Sequence, residues 1–255
     1  MRLDQKLVEL QLAPSRTKAQ ELIRSGLVEI YHAKKWAPEL DAAAPASGLT
    51  RDTVRITTSD LLAFVSRAGL KLERFLKKLD PDFGVAGLRV LDVGISTGGF
   101  ADCLLRRDAA LVIGVDVGHD QLSPLLQDHP KLILFERLNV RDLSGHQGFL
   151  EAATPPMDLL VMDVSFISHQ QALPPALPFL KLSGTVIVLI KPQFELGALA
   201  LNKKGVVKDI GLYAELKVTI EKSFDRLGLT ILRYEPSEIK GQDGNQEFFV
   251  MAQKV

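Results

Sequence analysis

The sequence predicts an α/β protein in which an alternating strand–helix domain, residues 61–255, follows a small α+β block, residues 1–60. Three observations carry that prediction. The stretch Arg89-Val-Leu-Asp-Val-Gly-Ile-Ser-Thr-Gly-Gly-Phe100 combines a buried-strand pattern, a glycine turn and the start of a helical run. Apolar runs of strand length recur near 111–116, 132–135, 158–163 and 185–191, separated by helical or irregular connections. The first block differs from all of this in pattern and in charge.

In that block Leu3, Leu7 and Leu10 repeat at helical spacing, with Asp4, Lys6 and Glu9 between them. Ala13-Pro14 breaks the run. Ser15 suits the N-cap of a second helix over 16–24, and Gly26 suits its C′ position. Val28-Glu-Ile30 and Val54-Arg-Ile56 alternate like short strands. Residues 36–50 between them are rich in alanine and proline and are expected to form a loop. The first 35 residues hold seven Lys/Arg against four Asp/Glu, in a chain of zero formal net charge. Arg16 and Lys18 fall in the first turn of the second helix, where a cation opposes the macrodipole. A phosphate at the helix start would justify them; a solvated helix face is the alternative.

In the second domain Ser66 suits the cap of a helix running to Leu79. Leu72, Phe75, Leu76 and Leu79 form its apolar face, and Lys71 lies on the border of that face. The strands follow, then a helix over 212–227 and two last strands over 230–235 and 247–253. Asp243-Gly244-Asn245 supplies turn chemistry between the last two. An antiparallel pair closing an otherwise parallel sheet is compatible with a Rossmann-like methyltransferase fold. Ligands in such sheets bind at the carboxyl ends of the strands.

The glycine turn limits the ligand class. A dinucleotide site wants G-x-G-x-x-G, and a P-loop wants Gly-Lys-Ser/Thr after its glycines. Here the spacing is G-x-x-x-G-G, with Asp92 two residues before the first glycine. A nucleoside without phosphate and with a positive charge remains. Asp92 suits an ammonium or sulfonium, and Asp116 suits ribose hydroxyls, which together describe S-adenosylmethionine. The candidate cradle is Asp92, Gly94, Ser96, Thr97, Gly98, Gly99, Phe100 and Asp116. Close packing of a generic α/β turn is the bland alternative. Asp142 is a candidate acceptor for the adenine amino group, or only a cap for its loop.

Strand ends also carry Asp163 and Lys191. A lysine at the end of a central buried strand is costly unless paired or wet. A partly buried lysine with lowered pKa can act on a hydroxyl proton. These residues sort the methyl acceptors. A pyrimidine C5 acceptor needs a nucleophilic cysteine near the fourth or fifth strand, and the single Cys103 lies elsewhere. An amine acceptor often goes with Asp/Asn-Pro-Pro-Tyr/Phe, and Asp163-Val-Ser-Phe166 matches only its ends, so that class stays open. A hydroxyl acceptor suits a Lys/Asp constellation.

Apolar content of 46% and charged content of 24% are those of a globular protein. One cysteine excludes an internal disulfide framework and offers no metal-ligand spacing. Met1-Arg-Leu-Asp4 starts a polar amphipathic segment without a signal-peptide core, and no apolar run approaches the ~20 residues that span a bilayer. A cytoplasmic protein with no membrane partner is expected.

Five segments occur in a telling order: Ser66-Arg67-Ala-Gly-x-Lys71-Leu72, Leu91-Asp-Val-Gly-x-Ser-Thr-Gly-Gly-Phe100, Asp163-Val-Ser-Phe-Ile-Ser168, Lys191-Pro-Gln-Phe-Glu195 and Gly244-Asn-x-Glu247. The start, through Ala13-Pro-Ser-Arg-x-x-Ala-x-x-Leu-Ile-x-x-Gly-x-Val28, resembles the S4 RNA-binding module. Together they resemble the TlyA family, also labelled hemolysin A, whose catalytic domain is similar to FtsJ-like ribosomal RNA methyltransferases. The resemblance implies methyl transfer from S-adenosylmethionine to a ribose 2′-hydroxyl of ribosomal RNA, free or in ribosomal subunits. It implies a catalytic tetrad at Lys71, Asp163, Lys191 and Glu247, and RNA contacts at Arg16, Lys18, Arg24 and Arg67. The chain departs from the pattern at Glu29-Ile-Tyr-His-Ala33, where Val-Asn-Gly is usual, and at Ala68, where glycine is common. The hemolysin label suggests a cytolytic protein, against which stand the missing spanning segment and the absence of a strongly basic amphipathic helix.

Overall fold

The computed structural model describes residues 1–24, 26–57, 63–79, 83–241 and 243–255. The chain divides into two units, Met1–Ser66 and Arg67–Val255. The boundary expected between residues 60 and 61 lies outside the described residues.

Leucine spacing builds the first unit. Helix α1 (Leu3–Glu9) buries Leu3 and Leu7, and helix α2 (Arg16–Arg24) buries Ala19, Leu22 and Ile23. Ser15 Oγ accepts from the Lys18 N–H at 3.2 Å, which satisfies a free amide of the first turn. Gly26, at φ +69°, ends α2 in the left-handed region that a side chain disfavours. Strand β1 (Val28–His32) pairs antiparallel with β2 (Lys35–Pro38) and β3 (Val54–Ile56). Residues 36–38, expected to be loop, are therefore strand. The β1–β2 turn holds Ala33 and Lys34 at φ 49° and 65°, both positive as in a type I′ hairpin. Tyr31 packs on Trp36, and the Arg55 guanidinium lies 4.3 Å from the Trp36 ring centroid. These cross-strand contacts hold a hairpin whose turn lacks the usual Asn-Gly.

Charge in this unit is largely spoken for. Asp4 is buried and accepts from Gln20 at 2.6 Å, Arg2 at 3.1 Å and Arg16 at 3.3 Å. Burial alone would raise its pKa, but these hydrogen bonds hold the carboxyl well below the usual range. Lys18 is only 5% exposed and lies 3.1 Å from Glu21. The expectation of an open cation at that position is corrected: the ammonium is folded inward to a carboxylate three residues on. Arg16 and Arg24 are exposed.

The second unit opens with α3 (Arg67–Lys77), which buries Leu72, Phe75 and Leu76. Its seven-stranded sheet comprises β4 (Arg89–Val93), β5 (Leu111–Val115), β6 (Leu132–Phe135), β7 (Met157–Met162), β8 (Leu180–Ile190), β9 (Leu229–Pro236) and β10 (Phe248–Lys254). The spatial order is β6-β5-β4-β7-β8-β10-β9. Pairing is parallel from β6 to β8, and β10 then lies antiparallel between β8 and β9. Central strands covered on both faces explain the near-continuous apolar runs. Helices α4 (Gly99–Arg106), α5 (Gln147–Ala152), α6 (His169–Ala172), α7 (Pro192–Glu195) and α8 (Leu212–Arg226) complete the unit. Phe149 and Phe224 are among its largest fully buried side chains. Cys103 is buried in α4. No helix among the described residues is long and apolar enough to cross a membrane.

Candidate active site

Parallel pairing puts the carboxyl ends of β4, β5, β7 and β8 along one edge, and the candidate residues follow from that. Asp163 succeeds the last residue of β7 and Lys191 the last residue of β8. Lys191 Nζ lies 2.7 Å from Asp163 Oδ1 and donates to Ser165 Oγ at 2.9 Å. The antiparallel register sets Phe248 opposite Ile190, so Glu247 reaches the same edge from the other direction. Lys71, on the border of the apolar face of α3, donates to Glu247 Oε2 at 2.5 Å. Gly241 permits this approach, because a β-carbon there would stand 2.7 Å from Glu247 Oε1.

The two ion pairs form one electrostatic cluster. Burial raises the Glu247 pKa; Lys71 opposes through its charge and its hydrogen bond, Asp163 adds to the rise and Lys191 opposes it. Two ammonium and two carboxylate groups compensate formally. That balance matters where an unpaired charge would be costly.

The cradle lies next to this cluster. Gly94, at φ +83°, sits so close to β7 that a β-carbon would stand 2.8 Å from the Asp163 carbonyl oxygen. This glycine thus serves close packing as well as the turn. Gly98, at φ +88°, is the N-cap of α4, with Gly99 and Phe100 buried in its first turn. Asp116 Oδ2 accepts from the Ser96 N–H at 2.8 Å, and its Oδ1 from the Gly118 N–H at 2.7 Å. Asp116 therefore ties the glycine turn to the end of β5, and an ionised carboxylate keeps lone pairs for further donors. Thr97 accepts from the Ser123 N–H through its carbonyl at 3.2 Å. Asp92 is fully buried, and among the described residues neither carboxylate oxygen has a partner in hydrogen-bond geometry. Burial raises its pKa well above the ordinary value, Asp163 and Asp116 add to the rise, and the Ala101 amide opposes it. An orphaned buried carboxylate beside a glycine turn fits a cationic nucleoside better than an anionic one.

Asp142 is exposed on the 3-10 turn Val140–Gly145. The cap of that turn is Asn139, which accepts from the Arg141 N–H at 3.0 Å, so the capping alternative for Asp142 is not what the structure shows. Arg67 donates to the Lys240 carbonyl at 2.9 Å.

Several residues of the site escaped the sequence reading. Ser165 holds Lys191, although it lies inside the quoted motif. Ser96 Oγ donates to Gln121 Oε1 at 3.0 Å. Glu195 accepts from the His169 N–H at 2.9 Å and contacts His169 Nδ1 at 3.0 Å, joining the segments after β7 and β8. Phe166 is 92% exposed at φ +66°, beside Phe194. A bulky residue at positive φ with its ring in solvent is unusual; its nearness to Ser165 was the one available signal.

A mostly parallel sheet with an antiparallel end, a glycine cradle and a lysine–carboxylate cluster define a nucleoside-dependent transferase. The FtsJ-like methyltransferase family model matches residues 64–254 and the S4 domain model matches residues 1–30. The 16S/23S rRNA (cytidine-2′-O)-methyltransferase TlyA of Mycobacterium tuberculosis is 36% identical over 98% of this chain and 88% of its own. Hemolysin A of Brachyspira hyodysenteriae is 34% identical over 97% of this chain and 98% of its own. A solved structure from Streptococcus thermophilus that carries a hemolysin label superposes with a TM-score of 0.74, at 28% identity, over 100% of this chain and 88% of that one. The chain belongs to the TlyA family of FtsJ-like methyltransferases.

Proposed function

We infer that this protein is an S-adenosylmethionine-dependent methyltransferase acting on ribose 2′-hydroxyl groups of ribosomal RNA, in the cytoplasm. The observation that carries the acceptor assignment is the cluster Lys191–Asp163–Ser165 with Lys71–Glu247. Bound S-adenosylmethionine supplies a methyl group that is already activated as a sulfonium. Asp92 would meet its positive end, Asp116 its ribose hydroxyls, and the turn from Gly94 to Phe100 its backbone-facing side. The Asp142 carboxylate accepts no hydrogen bond among the described residues, is exposed and suits the adenine amino group.

The protein's own work is orientation and proton handling. Lys191 polarises the attacking hydroxyl and handles its proton, while Asp163 and Ser165 fix the Nζ position. Lys71 and Glu247 set the charge balance and hold the ribose. Holding the oxygen in line is a large part of the acceleration. Exposed Phe166 offers a flat apolar face on which a base can stack. Arg16 and Arg24 of the first unit supply phosphate contacts, with Arg67 at the start of the second. Lys18 has no part in this, being paired with Glu21. An amine acceptor would leave Lys191 without a task, and nothing in the site favours a cytolytic role. Mapping 2′-O-methyl groups in ribosomal RNA from cells with and without the gene tests the reading. A ribose methyl that disappears with the gene is expected; an unchanged map contradicts it.

A further inference from the structure

We propose that the hairpin at residues 202–208 is a binding site for the RNA phosphodiester backbone, anchored beside the tetrad by Asn245. The proposal rests on the RNA-methyltransferase reading above and adds a substrate contact to it. Asn245 is fully buried. Its Oδ1 accepts from the Val207 N–H at 3.0 Å and its Nδ2 donates to the Gly205 carbonyl at 2.9 Å. One side chain thus pins the return arm of the hairpin at two points. Asn202 orders the tip from within: its Oδ1 accepts from the Lys204 N–H at 2.8 Å and the Val206 N–H at 3.0 Å. Gly205 turns at φ +75°, where a side chain would be strained although nothing fills the space.

This rigid tip presents Lys203 and Lys204, both exposed. Among the described residues neither has an ion-pair partner. Lys208 is exposed at the base, and its Nζ donates only to the Leu199 carbonyl, at 3.3 Å. The adjacent Asp209 accepts from the Gly211 N–H at 2.7 Å through Oδ1, and against three lysines its single charge leaves the group net positive. The position of the hairpin follows from the anchor. Asn245 stands two residues before Glu247, a separation of about 7 Å in extended chain. The residue that holds the hairpin is thus two positions from the carboxylate that positions the ribose, which places the hairpin on the side where the flanking phosphates run. A merely solvated lysine loop needs no buried, doubly bonded asparagine, and ordering one costs conformational entropy.

The test uses the full chain and ribosomal RNA freed of protein, with binding measured over a range of salt concentrations. Lys203→Ala/Lys204→Ala should remove about two phosphate contacts and make the slope of log affinity against log salt shallower by about 1.4, the single-strand value. Raising salt from about 50 to about 200 mM should then cost the parent about sevenfold more affinity than the variant. Affinity for S-adenosylmethionine should not change. Asn245→Asp, which keeps the acceptor for Val207 and loses the donor to Gly205, should also flatten the slope. Equal slopes for the lysine variant and the parent would overturn the site. A parental slope in Asn245→Asp would overturn the anchor. A parent that binds ribosomal RNA but methylates none of it would refute the activity and leave the hairpin standing. A parent without salt-dependent binding would overturn both.

Discussion

Replacing Asp92 by asparagine should move stability and cofactor affinity in opposite directions. The carboxylate is buried, has no hydrogen-bond partner among the described residues, and faces the charges of Asp163 and Asp116. Its folded pKa is therefore raised. In the unfolded chain an aspartate ionises near about pH 3.9. As pH rises above that value the unfolded chain holds fewer protons than the folded one, so stability falls until the folded pKa is reached. Asparagine carries no such penalty. Asparagine is as polar but cannot ionise, so only the excess cost of the charged form is removed; we take about 1–3 kcal/mol, the scale of one unsatisfied buried group, for that excess. At about 2–4 °C per kcal/mol its removal raises Tm by roughly 2–12 °C at neutral pH, with little difference near about pH 4. The cofactor should bind roughly tenfold to a hundredfold more weakly, the range of a lost charge-assisted hydrogen bond. Scanning calorimetry across pH and titration calorimetry with S-adenosylmethionine measure the two effects. A variant less stable than the parent at neutral pH, or one that binds the cofactor equally well, would refute the reasoning.

Three further outcomes are expected. The Glu247 pKa is raised, so its pairing with Lys71 forms only as pH climbs above the usual carboxylate range; the acid limb of kcat should lie there and vanish in Glu247→Gln. An unchanged limb in that variant would assign it to another group. Glu195→Ala should lower kcat while leaving cofactor affinity intact, because it loosens the join between the segments bearing Asp163 and Lys191; an unchanged kcat would make the contact structural only. Asp4 titrates below its unfolded value, so its contribution is present above about pH 3.9 and is lost as pH falls. Asp4→Asn should therefore destabilise the first unit by about 1.5–3 kcal/mol at neutral pH, read by circular dichroism melts, and a neutral substitution would refute the network.

Period and punctuation made most of the fold legible. The runs at 89–94, 111–116 and 132–135 became strands within a residue of their expected ends, because a doubly covered parallel strand must be apolar throughout. Strand β2 escaped because its turn uses Ala33 and Lys34 at positive φ, where Asn-Gly would have announced it. Composition also misled at Lys18. A helix-start cation looks like a phosphate ligand in sequence, but Glu21 three residues on can fold it inward, as helical spacing allows. Asp163 and Lys191 were legible as charged residues at strand ends, whereas Lys71 and Glu247 entered only through resemblance. Lys71 on a helix border and Glu247 after a turn are unremarkable in isolation. Their meeting depends on the β8–β10 register and on Gly241, which are long-range facts. Ser165, Gln121 and Asn245 are side chains whose partners lie far along the chain, beyond what local pattern encodes.

Tritiated methyl transfer to ribosomal RNA followed by alkaline hydrolysis decides whether Lys191 serves a ribose hydroxyl. A 2′-O-methyl blocks cleavage at its own phosphodiester, whereas a base methyl does not. The parent should leave label in alkali-resistant dinucleotides. Lys191→Ala should transfer methyl about 10²–10⁴-fold more slowly, the range of a lost acid–base group, with cofactor affinity retained. Lys191→Arg should not rescue it, because a guanidinium keeps its proton near neutral pH. Label confined to mononucleotides, with Lys191→Ala as active as the parent, would overturn the ribose assignment.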